Sequence, residues 1–353
     1  MQVEKLICKN FKNIKNIEFS PDERMNVICG ENAQGKTNLI EALWLFSGFK
    51  SFRGTKDINL IKEGEEKAKL KCDFCFEGVK KNAEIVLSEK KEAFLNGKKL
   101  NSVTNLSESF KAIVFSPSDL KLVTDGPSER RKFLDVSIGN IYPSYIETVK
   151  EYTRAVIQRN KIIKEYKYDG SLAVMLDVFE EEIAKHGEKI IKYRTEFIKK
   201  LNTHLPEIYG GMSGGREKIV TVYVANNCDK IKEKLEASRK EDMFTGTTSV
   251  GPHRDETIFY INGKDARLFG SQGQKRSVAL SLKLSGANVL YEISGEYPVC
   301  LLDDVMSELD VKRQSFVLNR IKNMQSFITC CDVNNTKGLK NGKIFKIKEG
   351  CII

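Results

Sequence analysis

The residues Gly30–Thr37 read GENAQGKT and fit the phosphate-loop pattern G-x-x-x-x-G-K-[ST] without a substitution. Met25–Cys29 (MNVIC) before them is an apolar run of strand length. Thr37–Phe46 (TNLIEALWLF) after them carries apolar residues at helical spacing. The motif therefore predicts a strand-to-helix turn, the context in which such a loop works. Gly30 and Gly35 let the backbone curl so that the N–H groups of Glu31, Asn32, Ala33 and Gln34 can face a phosphate, and the following helix adds the partial positive charge of its N-terminus. Lys36 would lie on the β- and γ-phosphates, and the Thr37 hydroxyl would be a ligand of Mg²⁺. A chain built this way binds a nucleoside triphosphate.

The matching acids lie near the other end of the chain. Pro298–Asp304 reads PVCLLDD, a buried apolar strand ending in two carboxylates. Such a strand places one acid, Asp303, near Mg²⁺, and a second, Asp304, near an attacking water. Taken alone it is equally a core strand with an acidic turn. Because Lys36 and Asp303 must reach one Mg-nucleotide, the two ends of the chain fold together and the middle is an insertion. That topology excludes a small contiguous G-protein-like domain.

Between the two halves, Leu268–Leu280 (LFGSQGQKRSVAL) runs from a polar loop with Ser271, Gly273 and Gln274 into an apolar-periodic helix, expected over Ser277–Leu290. This is a second helix start suited to an anion. The triphosphate already has its loop, so a second nucleotide held between two subunits explains it best. The acidic strand is followed by Ser307–Asp310 (SELD), an amphipathic helix and the strand SFITCCD.

Elsewhere the pattern is that of an α/β protein with an inserted helical lobe. Lys5–Lys9 reads as an opening strand. KLKCDFCFEG, NAEIVLSE and EAFLNGKKL alternate polar and apolar residues, with Asn96-Gly97 as a two-residue hairpin turn, so an antiparallel sheet stands beside the nucleotide-binding core. Ala112–Phe115 is a strand. From Pro143 to Leu205, apolar residues at Leu172, Leu176, Phe179, Ile183, Ile190, Tyr193, Phe197 and Leu201 mark the buried seam of a helical pair, which Gly210–Gly215 (GGMSGG) should break. These helices are too short for a long coiled coil. REKIVTVYVAN returns to strand, and Asp229–Lys240 is a charged helix. The expected division is 1–115 and 246–353 for the two parts of the ATPase head, and 116–245 for the helical arm.

Composition adds limits. In 353 residues the net charge is +10, which permits an acidic partner such as nucleic acid or an anionic surface. No apolar run approaches the roughly 18 to 20 residues of a spanning helix, and MQVEKLICKNFKN lacks a signal peptide's apolar core. A cytoplasmic protein with no membrane partner is expected. The nine cysteines are irregularly spaced, and the one C-x-x-C, Cys72 and Cys75, has no second pair to complete a zinc site. Cys330 and Cys331 read as strand residues. His186, His204 and His253 are too few for a histidine metal site.

A phosphate loop, a distal S-Q-G-Q, an LLDD strand and an SELD turn, in that order, resemble an ATP-binding-cassette head of the SMC-like class. The phrases FSPSDLKLVTDGPSERRKFLD, GPHRDE, SQGQKRSVALSLKL and LLDDVMSELD are similar to those of the RecF family of recombinational-repair proteins, over nearly the whole chain. The resemblance implies a P-loop ATPase head with a helical second lobe and no long coiled coil. It further implies ATP and Mg²⁺ as cofactors and DNA binding without sequence specificity at single-strand gaps and duplex junctions. It implies an ATP-dependent homodimer with weak, DNA-stimulated hydrolysis, and work with RecO and RecR in gap repair, recombinase loading, replication and the SOS response. By position, Ser271 and Gln274 match the signature loop that meets the γ-phosphate across the dimer. Asp303 matches the Walker B acid, Asp304 stands where cassette ATPases place the catalytic Glu, and Asp310 matches the D-loop.

Departures from the general cassette pattern point to slow turnover. The signature reads GSQGQ, with Gln272 in place of a glycine, which should stiffen the loop. There is no Q-loop glutamine near Phe115–Asp119 and no switch histidine at Thr329–Asp332, and Asp304 is one methylene shorter than Glu. Phe52 stands where the family would have histidine, beside Arg53, a candidate nucleotide sensor. Arg130 and Arg131 are either DNA contacts or members of structural salt bridges. Three other functions share parts of the pattern: a transporter cassette subunit, an SMC-like ATPase of another DNA-processing or defence pathway, and a DNA-binding scaffold in which ATP is structural.

Overall fold

The computed structural model describes residues 1–165, 173–226, 230–331 and 342–353. Leu172, Asp229 and Asp332, on which sequence readings fell, lie outside the described residues. The chain forms two compact units, one of Met1–Leu120, Gly210–Gly215 and Ala279–Ile353, the other of Lys121–Tyr209 and Arg216–Val278.

The first unit contains two six-stranded sheets. One has the order Cys351–Ile352, Lys343–Lys348, Met25–Cys29, Ser326–Cys330, Val299–Leu302, Ala112–Phe115. Its pairings are parallel except for the terminal hairpin. A parallel sheet is covered on both faces, so its strands read as unbroken apolar runs. Val299–Leu302 (VCLL) is buried at every position, as is Met25–Cys29 after its first residue. Only Ser326–Cys330 separates the strand before the phosphate loop from the acidic strand, so the ends of both open on one edge of the sheet. This closes the long sequence gap between Lys36 and Asp303.

The other sheet is antiparallel throughout, in the order Ile14–Phe19, Gln2–Phe11, Ala68–Phe76, Val79–Leu87, Glu92–Leu95, Lys98–Lys99. Ala68–Phe76 alternates buried and half-buried residues over its whole length, the signature of a sheet with one covered face. The turn Asn96–Gly97 has φ of 49° and 77°, the left-handed pair that a two-residue hairpin requires.

The second unit combines Pro127–Ile141, Pro143–Glu165, the helix beginning at Ala173 and Ile231–Thr245 with a small sheet ordered Lys264–Asp265, Glu256–Ile261, Ile219–Val224. The helical seam is real: Leu176, Ile183, Ile190, Phe197 and Leu201 are buried. Arg159 is fully buried between Glu180 and Asp242, which are equally inaccessible. Residues 246–278 belong to this unit rather than grouping with the chain's C-terminal segment. Glu256–Ile261 pairs residue by residue with Ile219–Val224, and that pairing holds them there.

The helix from Ala173 does not stop at Gly210 but runs to Ser213. Two glycines are insufficient to end a helix whose neighbours are well packed. Met212 is buried, and a Cβ on Gly211 would meet the Phe316 ring at 2.0 Å, so that glycine makes a close contact possible. The stop comes at Gly214 and Gly215, both left-handed, where the Gly215 N–H donates to the Gly210 carbonyl at 2.8 Å.

Candidate nucleotide site

The phosphate loop is built where the strand Met25–Cys29 ends and the helix Lys36–Leu45 begins. Gly35, at the N-cap, has φ of 113°, and Ala33 also lies in the left-handed region at 65°. No side chain caps the helix, so its first N–H groups are not claimed by a protein cap. Lys36 is only 4% exposed. Its ammonium donates to the Gly30 carbonyl at 2.6 Å and the Glu31 carbonyl at 2.9 Å, folded back over its own loop.

The acidic strand meets this loop. The Thr37 hydroxyl donates to Asp303 Oδ1 at 2.8 Å, and the Thr329 hydroxyl lies 3.2 Å from the same oxygen. Thr329 also binds Asp304 twice, accepting its N–H at 2.8 Å and lying 3.3 Å from its Oδ1. Asp304 has φ of 52°, uncommon for a residue with a side chain. Burial pushes the Asp303 carboxyl above the ordinary carboxylate range and the Asp304 charge adds to this, while hydrogen bonds from Thr37 and Thr329 and the charge of Arg53 oppose it. The charge of Arg53 thus reaches Asp303.

A hydroxyl and a carboxylate side by side, with remaining positions left to phosphate and water, form the sparse oxygen donor set that suits Mg²⁺. Thr37 and Asp303 would hold the ion. Cys331 lies beyond the strand Ser326–Cys330, exposed, with its sulfur 3.6 Å from the Lys36 ammonium.

The remaining predicted residues have partners of their own. Ser271 and Gln274 belong to the second unit. The Gln274 N–H donates to Ser271 Oγ at 3.2 Å and the Ser271 N–H to Gln274 Oε1 at 2.7 Å, a reciprocal capping box. The helix they cap is Gln272–Ser294, starting five residues before the expected Ser277. The S-x-x-Q spacing was the signal for this. Asp310 caps Val311–Arg320, accepting the Arg313 N–H at 2.9 Å, and that bond holds its carboxyl below the usual range. Arg130 is buried and clamps Glu256 with two bonds of 2.7 and 2.8 Å, so of the two readings left open for it the salt bridge holds. Arg131 donates to the Asp255 carbonyl at 2.8 Å.

Sequence reasoning passed over Glu41, which is wholly buried on the phosphate-loop helix and takes Lys12 and Ser51 as partners. Ser51 in turn accepts the N–H of Arg53 at 3.2 Å, fixing the loop that carries the arginine. An acid in the otherwise apolar run LIEALWLF was the available clue.

A family model described as the RecF/RecN/SMC N terminal domain matches residues 2–350. The DNA replication and repair protein RecF of Lachnospira eligens is 36% identical over 362 residues, covering 100% of this chain and 99% of that protein. RecF of Clostridium acetobutylicum is 37% identical with the same coverage. The solved structure of the recombination mediator protein RecF-ATP in the RecFOR pathway superposes with a TM-score of 0.92 at 36% identity, covering 100% of this chain and 97% of that one. The Smc head domain of Pyrococcus furiosus, at 16% identity and a TM-score of 0.56, shares the fold.

Proposed function

This chain belongs to the RecF family of DNA replication and repair proteins, and from that we propose that it is an ATP-dependent DNA-binding protein of recombinational repair, closing as a dimer on ATP and opening on slow hydrolysis. The observation that carries the reading is the 2.8 Å contact between Thr37 and Asp303, which joins the two motifs that must share one Mg-nucleotide. A relative of 36% identity solved as RecF-ATP supports ATP as the nucleotide.

Triphosphate draws the Lys36 ammonium off the Gly30 and Glu31 carbonyls and onto its β- and γ-oxygens, while the open N–H groups of the helix start meet the phosphate. Mg²⁺, when bound, neutralises charge on the β/γ-phosphates. Asp304, held by Thr329 through backbone and side chain, orients a water as general base. Its short side chain favours a long-lived closed state over rapid turnover.

Ser271 and Gln274 of one copy meet the γ-phosphate held by the other, and Asp310 lines the same joint. ATP then acts through contacts found only in the closed dimer, so its binding energy biases the open–closed equilibrium. DNA is held through phosphate contacts from Lys and Arg, giving salt-dependent binding that ignores sequence. The relatives' assignment to the RecFOR pathway supports RecR and RecO as partners. No helix among the described residues is long and apolar enough to cross a membrane.

Titration with a fluorescent ATP analogue, followed by DNA binding with and without ATP, tests the reading. ATP-strengthened DNA binding that is lost in Lys36→Ala supports it. Equal DNA binding in that variant would favour a scaffold with structural ATP.

A further inference from the structure

A loop that turns its N–H groups inward to a phosphate must turn its carbonyls outward, and those carbonyls need donors. For five of the six carbonyls from Gly30 to Gly35 the donor can be named. Lys36 covers Gly30 and Glu31, and the Leu39 N–H covers Gly35 at 3.0 Å. The Ala33 carbonyl accepts Asn13 Nδ2 at 3.2 Å, and the Gln34 carbonyl accepts the Gly350 N–H at 3.0 Å. The Glu349 N–H donates to the Gln34 side chain at 2.6 Å. Asn13 is itself held by Asn38, whose Nδ2 donates to its Oδ1 at 2.7 Å.

These donors come from two hairpin tips at opposite ends of the chain. Asn13 lies between Gln2–Phe11 and Ile14–Phe19, and Glu349–Gly350 lies between Lys343–Lys348 and Cys351–Ile352. The second tip is an unfavourable turn kept in place. Glu349 and Gly350 have φ of 50° and 72°, and glutamate is a poor choice for a left-handed position that Asn fills at Asn96. The tips also touch closely, since a Cβ on Gly350 would lie 2.5 Å from the Asn13 carbonyl oxygen. One on Gly30 would lie 2.4 Å from the Ile347 carbonyl oxygen, so the strand Lys343–Lys348 presses on the start of the loop as well.

We propose that Asn13 and the Glu349–Gly350 turn are positioning residues for the phosphate loop, holding the carbonyls of Ala33 and Gln34 outward so that the loop is shaped for polyphosphate before nucleotide arrives. This rests on the nucleotide-binding reading above. It makes the Glu349–Gly350 turn part of the nucleotide site without its touching the ligand.

The test measures binding of a fluorescent ATP analogue, and its displacement by inorganic tripolyphosphate, on the full chain, Asn13→Ala, Glu349→Asn and a chain ending at Lys348. Tripolyphosphate isolates the cradle from any base contact. Losing the bond to the Ala33 carbonyl in Asn13→Ala should weaken both ligands by the same factor, about two- to tenfold, and losing the two bonds to Gln34 in the shortened chain by at least as much. The melting temperature of free Asn13→Ala should stay at the full chain's value. Glu349→Asn keeps the N–H, eases the turn and should bind as the full chain does. Unchanged affinity in Asn13→Ala, or lower melting temperature with no loss of tripolyphosphate affinity, would overturn the proposal, and Asn13→Ala decides even if the shortened chain fails to fold. Failure of the full chain itself to bind would instead remove the nucleotide reading.

Discussion

Replacing Lys36 with methionine keeps most of the buried stem and removes only the ammonium, so it isolates the charge. In the free protein that ammonium makes two charge-assisted hydrogen bonds to the Gly30 and Glu31 carbonyls, at 2.6 and 2.9 Å. Each is worth about 1.5–3 kcal/mol. Moving onto the β- and γ-phosphates gives these up in exchange for bonds to doubly shared negative charge, so the net gain on binding is the difference and not the whole. We expect about 2–3 kcal/mol, or roughly 30- to 150-fold in ATP affinity, the range from one charged pair formed against two carbonyl bonds released. The assay is equilibrium titration with a fluorescent ATP analogue at fixed Mg²⁺, with thermal unfolding of the free protein as a control for folding. Affinity within threefold of wild type, in a variant that melts normally, would refute the assignment of Lys36 to the phosphates.

Three further outcomes follow from the same geometry. Arg159→Met leaves Glu180 and Asp242 buried without their shared cation, although Arg239 and Ser238 retain some contact, and should destabilise the second unit by about 3–5 kcal/mol, seen as a lower urea midpoint. Asp303→Asn should abolish Mg²⁺-dependent nucleotide binding yet raise the melting temperature of the free protein near pH 7. The carboxyl's raised folded value means that its ionised form opposes folding. The gain should therefore shrink as pH falls through the carboxylate range, and a variant less stable than wild type at neutral pH would contradict this. Ser271→Arg should bind ATP normally but fail to associate; loss of folding would place Ser271 in the unit's own framework instead of in a contact between subunits.

Much of the site was legible because its chemistry is local in sequence. A glycine-bounded loop between an apolar strand and an apolar helix admits few structures, and Met25–Cys29 emerged with the expected limits. VCLLDD was legible as a buried strand ending in acids, but its role needed a partner, and Thr329, which joins Asp303 to Asp304, carries no mark in the sequence. Glycine misled at the start of GGMSGG because Gly211, a helix breaker by propensity, became a packing residue against Phe316, a tertiary effect that overrides the local one. Arg130 stood open between a DNA contact and a structural salt bridge until Glu256, far along the chain, was found against it. The outward carbonyls of Ala33 and Gln34 were invisible for a similar reason: their donors stand at opposite ends of the chain, and only the fold brings Asn13 and Gly350 to the same loop.

The central claim is that ATP closes two copies of this chain on one another. Molar mass by light scattering, with and without Mg-ATP and a gapped duplex, on wild type and Asp304→Asn, tests it most directly. The account predicts a monomer that becomes a dimer only with ATP, a dimer that persists longer in Asp304→Asn, and further strengthening by DNA. A mass indifferent to ATP in both proteins would contradict it, whatever the affinity of the phosphate loop for nucleotide.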